Sequence, residues 1–342
     1  MKSIVIHSAK DLRIEDRPVQ EPGAGQVEIS VAAGGICGSD LHYYLDGGFG
    51  DVRLQEPMIL GHEVSGYITR LGEGVTNLGI GQLVAVSPSR PCHDCTYCCE
   101  AKYIQCLNMK FYGSAFPFPH TQGAFREVLV ADATQCTAAD RLTAGEAAMA
   151  EPLAVCLHAA RRASGLLGKR VLVTGCGPIG LLCILVARRS GAAEIVATDL
   201  SDFTLRVARQ NGADGTINVS RTPGRMDAYA AGKGYFDLLF ECAGVPQALV
   251  GGIAALRPGG IVVQLGLGGD IRIPVQTMTA KELELRGSFR FHEEFVTAVE
   301  LMQKGLVDVK PLITQTVELG DAESGFQLAS DRNQSVKVQI AF

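Results

Sequence analysis

Residues 170–199 are the part of this sequence that most restricts its fold. An apolar strand at 170–174 leads into Gly175-Cys176-Gly177-Pro178-Ile179-Gly180, and a helix at about 178–190 and a strand at 194–198 follow. A GxGxxG pattern in this context is typical of a turn that binds a dinucleotide. Strands and helices alternate at similar spacing as far as residue 287, which predicts βαβ units and a parallel sheet.

Each residue of this turn has a physical reason to be there. Gly175 permits a tight turn, Gly177 lets the backbone approach a pyrophosphate, and Gly180 lets the helix pack closely on the strand. Pro178 and Ile179 open the helix, where free N–H groups and the helix dipole favour a bound anion. The alternative is a glycine-rich turn that binds no nucleotide.

Asp199 ends the strand that follows this helix. Its carboxylate would accept hydrogen bonds from the ribose hydroxyls of a bound dinucleotide. It would also repel a 2′-phosphate, so the sequence favours NAD over NADP, although NADP stays possible.

A cluster of cysteines is the second notable feature. Five of the eleven cysteines fall between residues 92 and 106, and four of them have the spacing C-x2-C-x2-C-x7-C: Cys92, Cys95, Cys98 and Cys106. Four thiolates can enclose zinc in a closed tetrahedron, which would make the site structural. Four cysteines can also hold an iron–sulfur cluster, but the last spacing is longer than in ferredoxin motifs. Cys99 is interpreted as a bystander.

Composition excludes several classes of protein. A length of 342 residues with 20% charged side chains is typical of two globular domains. The net charge is −5 and no basic run occurs, so nucleic acid is not expected as a partner. The charged N-terminus does not resemble a signal peptide, and the longest apolar run, 179–187, is too short to span a membrane. We therefore expect a cytoplasmic protein with reduced cysteines.

The predicted pattern of secondary structure changes near residue 153. Short alternating segments such as 27–32 and 83–86 predict strands in the first part, whereas βαβ units begin after the helical stretch 153–163. From residue 290 we expect one amphipathic helix, 293–303, and two short strands that return to the first domain. The predicted limits are 1–153 with a cysteine lobe at about 90–108, then 154–289, then 290–342.

Four further residues could hold a second metal. Cys37 lies in a Gly-Ile-Cys-Gly-Ser-Asp segment, His62 and Glu63 are adjacent, and Glu151 begins Glu-Pro-Leu. One cysteine, one histidine and one or two glutamates could bind zinc and leave a position open for catalysis. Spacing alone does not establish this, since a single cysteine is more often a small buried hydrophobe.

These segments together resemble the zinc-dependent medium-chain dehydrogenases, and within them the sorbitol (polyol) dehydrogenase branch. The resemblance covers nearly the whole chain, and Glu151 stands where alcohol dehydrogenases of this family usually have cysteine. It implies an α/β protein in which a GroES-like, β-rich catalytic domain joins a Rossmann domain with a doubly wound parallel sheet. It also implies two zinc ions per chain, one catalytic and one structural, NAD as the hydride carrier, and a homotetramer or else a dimer.

The resemblance also implies roles for individual residues. Ser39 and His42 would relay the released proton to solvent, and either or both of Glu63 and Glu151 would reach the catalytic zinc. Substrate contacts are implied for Tyr43, Phe111 and Arg290. Contacts with the cofactor beyond the glycine-rich turn are implied for Leu265, Gly266, Leu267, Phe289 and Arg290.

The resemblance in four segments implies a sugar acid as the substrate, namely in 36–44, 111–120, 286–291 and 336–342. A polyol of the sorbitol or xylitol type is the alternative substrate. The alternative to an enzyme is a non-catalytic protein that binds zinc and nucleotide. Two departures from the branch are Phe291, where tyrosine is usual, and Thr204, where arginine is common near the adenine. Arg206 could compensate for the second.

Overall fold

The computed structural model describes all 342 residues. The strands are β1 Lys2–Ser8, β2 Asp11–Asp16, β3 Gln26–Gly35, β4 Gly48–Phe49, β5 Val52–Arg53, β6 Met58–Ile59, β7 Glu63–Leu71, β8 Leu83–Val86, β9 Ser89–Arg90, β10 Lys110–Phe111, β11 Val128–Asp132, β12 Cys136–Ala138, β13 Arg170–Thr174, β14 Glu194–Asp199, β15 Gly215–Asn218, β16 Phe236–Glu241, β17 Leu256–Gln264, β18 Glu284–Gly287, β19 Ile313–Glu318 and β20 Lys337–Ala341. The helices are α1 Gly38–Asp46, α2 Thr96–Cys99, α3 Ala144–Ala148, α4 Ala150–Arg162, α5 Pro178–Arg189, α6 Asp202–Gln210, α7 Asp227–Ala230, α8 Pro246–Ala255, α9 Val275–Ala280, α10 Glu294–Gln303 and α11 Ala322–Ser330.

The second half of the chain forms the predicted parallel sheet. Its six strands have the order β15-β14-β13-β16-β17-β18, and all neighbouring strands are parallel. This is the doubly wound order in which ligands bind at the carboxyl ends of the strands. Alternate residues of β13 face opposite sides, because Val171 and Val173 belong to one apolar cluster and Leu172 to another. Both faces are therefore buried, as a parallel sheet requires.

The first half and the C-terminus share a mixed sheet. Its main path is β12-β8-β7-β3-β20-β19, with β11 also paired to β3. The C-terminal strand β20 pairs antiparallel with β3, so the end of the chain lies beside the first part. The expectation of one helix after residue 290 is wrong, because α11 also forms and buries Phe326 against this sheet. The domain limits at 153 and 289 stay a prediction.

None of the helices has both the length and the apolar character needed to cross a membrane.

Helices α4 and α10 pack together beside the cysteine lobe, and a buried carboxylate joins them. The Oε1 atom of Glu294 lies 3.1 Å from His158 Nδ1 and 3.0 Å from Arg161 Nη1, and its Oε2 accepts the N–H of His292 at 3.0 Å. Burial opposes ionisation, but these partners prevail and lower the pKa of Glu294 to about 2. The ion pairs therefore help to fix α4, whose first turn contains Glu151.

We expect Glu294→Gln to lower the free energy of unfolding by about 1–2 kcal/mol near neutral pH. The folded pKa lies below the unfolded value, so this carboxylate stabilises the fold above about pH 4 and less as the pH falls toward 2. Urea denaturation at several pH values should show the wild type and the variant converging over that range. Glu293→Gln is the control, since Glu293 is exposed. A difference that persists unchanged at pH 2 would contradict the assignment.

Candidate active site

Three of the four proposed catalytic metal ligands converge at the junction of α1 and β7. Cys37 directly precedes α1, Glu63 is the first residue of β7, and His62 comes immediately before it. One ligand atom from each residue lies within 4.8 Å of the others. His62 and Glu63 are almost fully buried, so the group is shielded from bulk solvent.

A buried aspartate holds the backbone of Cys37 and of the residue before His62. Asp40 accepts the backbone N–H of Cys37 at 3.0 Å and that of Gly61 at 3.2 Å. Its Oδ1 also lies 3.8 Å from Nδ1 of His62, an atom that is buried without a hydrogen-bond partner. If this distance shortened slightly, Nδ1 of His62 could donate to the Asp40 carboxylate, and the other ring nitrogen of His62 would then be available to a metal.

Glu63 is held by an ion pair from the C-terminal strand. Lys337 Nζ lies 2.8 Å and 2.6 Å from the two carboxylate oxygens and also donates to the carbonyl of Ile36 at 3.0 Å. Lys337 and Glu63 are each about 1% exposed. This pair fixes the orientation of the Glu63 carboxylate and joins β20 to β7.

Glu151 has a different environment. It lies in the first turn of α4, is buried, and makes no hydrogen bond or ion pair, and it is outside the group of three. Burial raises the pKa of Glu151 to about 8, with Glu63 and Cys37 as negative neighbours and His62 opposing them. The two glutamates are therefore not equivalent, since Glu63 is paired and Glu151 is free.

The donor set of these residues fits zinc. A thiol, an imidazole and a carboxylate are the atoms zinc selects, and three protein ligands leave one position open. Burial, followed by the charge of Glu63, raises the pKa of the Cys37 thiol to about 11. A dication at this point would reverse that effect, because a coordinating thiol is deprotonated.

Ser39 and His42 share one face of α1 because they are three residues apart. Ser39 is half-buried and is the second residue of the helix, so it does not cap it; Cys37 occupies the cap position. The His42 side chain is 47% exposed and lies 3.6 Å from Asp46. Ser39 and His42 thus form a path from the neighbourhood of Cys37 to the solvent.

Arg290 lies between two aromatic rings. Its guanidinium carbon is 3.9 Å from the centre of Phe111 and 4.9 Å from that of Phe289. Phe111 in turn packs against the ring of His62 at 5.5 Å. Burial lowers the pKa of Arg290 to about 10, so it stays charged at neutral pH, and it has no ion-pair partner. Tyr43 is buried nearby, and its hydroxyl accepts the N–H of Ala115 at 3.0 Å.

The glycine-rich turn has the geometry that a dinucleotide needs. Gly175 has φ +84°, and a Cβ on Gly180 would lie 1.8 Å from the carbonyl oxygen of Gly175. Gly177 caps α5, and Pro178 is its first residue. Asp199 accepts the N–H of Cys176 at 2.6 Å and thereby ties the turn to the end of β14. These residues fit a dinucleotide in the crevice at the carboxyl ends of the strands.

The segment after β17 borders the same crevice. The N–H groups of Leu265 and Gly266 both donate to the carbonyl of Glu241, while Leu267 is mostly exposed. Thr204, the departure from the branch expected near the adenine, is buried and donates to the carbonyl of Ser201. The Arg206 guanidinium lies 5.8 Å from the ring of Phe203, so it remains available at the surface.

The cysteine lobe brings four sulfur atoms together around α2. All four lie within 4.8 Å of one another: Cys92, Cys95, Cys98 and Cys106. Hydrogen bonds from the N–H groups of Leu107 and Cys98 lower the pKa of Cys95 to about 6. Cys99 is outside the group and exposed. Four convergent thiols fit a closed tetrahedral zinc site.

Sequence reasoning missed Asp40 and Lys337 as parts of the site. Asp40 stands three residues after Cys37, and Lys337 is a charged residue in an apolar strand, which is the only local sign of its buried role. His120 joins two loops beside the site, since its ring nitrogens contact Gln55 N and Pro117 O.

Comparisons with known proteins agree with this geometry. Residues 23–141 match the alcohol dehydrogenase GroES-like domain, and residues 178–304 match the zinc-binding dehydrogenase family. L-idonate 5-dehydrogenase (NAD(P)(+)) of Escherichia coli (strain K12) is 39% identical over 100% of this chain and 98% of its own length. Its solved structure superposes with a TM-score of 0.95.

Two further relatives bear on substrate and cofactor. Sorbitol dehydrogenase of Gallus gallus is 36% identical over 99% of this chain and 95% of its own length. An alcohol dehydrogenase of Escherichia coli CFT073, solved with NADH, is 29% identical with a TM-score of 0.90 and covers 100% of this chain and 99% of its own. The predicted GroES-like and Rossmann domains are thus confirmed as the fold class.

Proposed function

The chain belongs to the zinc-dependent medium-chain alcohol dehydrogenases, and from this premise we propose that it oxidises the C5 hydroxyl of L-idonate with NAD. The products are 5-dehydro-D-gluconate, NADH and a proton, and the reaction is reversible. The full-length similarity to L-idonate 5-dehydrogenase carries this proposal. The segments 36–44, 111–120, 286–291 and 336–342 support the same substrate.

Cys37, His62 and Glu63 would hold the catalytic zinc in this proposal, and Glu151 would either reach the ion or hold a proton. Bound zinc supplies a Lewis acid that lowers the pKa of an alcohol at its open position. Asp40, 3.8 Å from Nδ1 of His62, would orient that ring once the distance shortens, and Lys337 orients Glu63.

The proton that leaves the alcohol passes outward through Ser39 and His42, since His42 reaches solvent. The residues that would border the nicotinamide ring of bound NAD, the hydride acceptor of the proposed reaction, are Leu265, Gly266, Leu267 and Phe289. Gly175, Gly177, Pro178, Ile179 and Gly180 bind the pyrophosphate, and Asp199 binds the adenosine ribose and favours NAD over NADP. The structural zinc is assigned to Cys92, Cys95, Cys98 and Cys106.

Arg290 is the group that would bind the substrate carboxylate. It is charged, partly buried and unpaired, and guanidinium binds carboxylate through two hydrogen bonds. Tyr43 and Phe111 line the same pocket. Sorbitol dehydrogenases resemble this chain at Arg290, so the arginine alone does not distinguish an acid from a neutral polyol.

We expect Arg290→Gln to lower kcat/KM for L-idonate by about tenfold to a hundredfold. Sorbitol and xylitol have no carboxylate, so their kcat/KM should change much less. Steady-state kinetics of wild type and variant on the three substrates measures both effects. Equal losses on all three would mean that Arg290 does not bind the carboxylate, and wild-type preference for sorbitol would favour the polyol dehydrogenase alternative.

A metal assay separates the enzyme from a non-catalytic zinc and nucleotide-binding protein. Two zinc ions per chain together with NAD reduction on a sugar acid support the enzyme. One zinc ion and no turnover on any alcohol of the panel would support the alternative.

The oligomeric state is proposed from the family resemblance, whereas the location keeps the expectation drawn from the sequence. We propose a homotetramer, with a dimer as second choice, in the cytoplasm. Light scattering of the purified protein measures the number of subunits directly.

A further inference from the structure

Arg332 extends over the glycine-rich turn from outside the parallel sheet. It lies in the loop between α11, which packs on the mixed sheet, and β20, which is one of the strands of that sheet. A Cβ built on Gly177 would be 3.9 Å from both the Cζ and the Nη1 atoms of Arg332. The guanidinium therefore stands beside the residue whose backbone approaches the pyrophosphate.

This guanidinium has no partner within the protein. Its nitrogen atoms make no hydrogen bond and no ion pair, although the side chain is only partly exposed. The adjacent Asp331 uses its carboxylate to accept from Asn333 N and Gln334 Nε2. Asp199 attracts Arg332 electrostatically, but its oxygens accept three backbone N–H groups. A cation left unpaired in this position is available to an anion.

The loop is held in a defined position. The hydroxyl of Ser201 donates to the carbonyl of Arg332 at 3.1 Å, which fixes the loop to the start of α6. The carbonyl of Asp331 accepts the N–H groups of Gln334 and Ser335, both at 3.1 Å. A backbone held at both sides reduces the entropy lost when the side chain binds a ligand.

We propose that Arg332 donates hydrogen bonds to the pyrophosphate of the bound dinucleotide. The inference rests on the proposed function, in which the crevice binds NAD. Bound cofactor would then contact both parts of the molecule, because α5 belongs to the parallel sheet and Arg332 comes from the segment that returns to the mixed sheet.

Equilibrium binding of NADH and ADP-ribose tests the proposal, with fluorescence and calorimetry as readouts. Arg332→Gln should weaken both ligands by about tenfold to a hundredfold, and Arg332→Lys by less. Adenosine has no phosphate, so its own dissociation constant, measured by competition with NADH, should be the same for the wild type and for Arg332→Gln. Arg189→Gln removes the same charge from the exposed end of α5 and should leave binding unchanged.

The outcomes separate this inference from the proposed function. A selective loss of NADPH affinity would overturn it and place Arg332 at the 2′-phosphate. Unchanged affinity of Arg332→Gln for NADH would also overturn it, while the wild type still binds cofactor as proposed. A wild-type protein that binds no dinucleotide would refute the proposed function itself. Melting temperature without ligand shows whether each variant is folded.

Discussion

Replacing Cys37 with serine is expected to lower kcat/KM by at least about a thousandfold while leaving the fold intact. A Lewis acid contributes several kcal/mol to the stabilisation of developing charge, and each 1.4 kcal/mol corresponds to a factor of about ten. Cys37 caps α1 with its backbone, so the hydrogen bond from its N–H to Asp40 survives the substitution. Zinc content should fall from two ions per chain to one, as measured by atomic emission on the purified variant.

Two other cysteines serve as controls. Cys99→Ser should be neutral in rate and metal content, because Cys99 is exposed and outside both groups. Cys95→Ser should remove the other zinc ion and destabilise the lobe, with turnover affected less than in Cys37→Ser. A Cys37→Ser protein with wild-type rates would refute the catalytic site.

Replacing Lys337 with methionine is expected to lower the free energy of unfolding by about 3–5 kcal/mol. The substitution leaves the Glu63 carboxylate buried without the cation that lies 2.6 Å away, and an unpaired buried charge costs more than the intact pair contributes. Urea denaturation of metal-depleted protein measures the loss directly. Added zinc should stabilise the variant more than the wild type, because the ion then supplies the missing positive charge.

The double variant Glu63→Gln with Lys337→Met tests the reason for this loss. It removes both charges, so it should recover a large part of the stability while binding the catalytic zinc more weakly. Lys310→Met, on an exposed lysine, is the control for the loss of a surface charge. A Lys337→Met protein as stable as the wild type would mean that Glu63 is neutral or turns to solvent.

Much of the fold follows from local pattern. The strands at 83–86 and 170–174 form with the expected limits. The helix α11 was missed, because its apolar residues contact the mixed sheet only after the chain has returned to it. Phe326, for example, lies within the core that β3 and β20 share.

The candidate site, like the fold, was predicted only in part from the sequence. The sequence alone indicated the types of ligand that zinc prefers, because Cys37, His62 and Glu63 are candidates by their chemistry and by the family resemblance. It did not distinguish Glu63 from Glu151. That difference depends on Lys337, which is 274 residues away from Glu63 along the chain and only 2.6 Å away in space.

The sequence by itself determined the glycine-rich turn, the parallel sheet around it and the four-thiol lobe, since each depends on residues close together in the chain. Only the tertiary structure decided which carboxylate is paired, which histidine faces Asp40 and which arginine stands over the turn. Those outcomes depend on burial and on charges brought together by long-range strand pairing, and no local pattern encodes either of them.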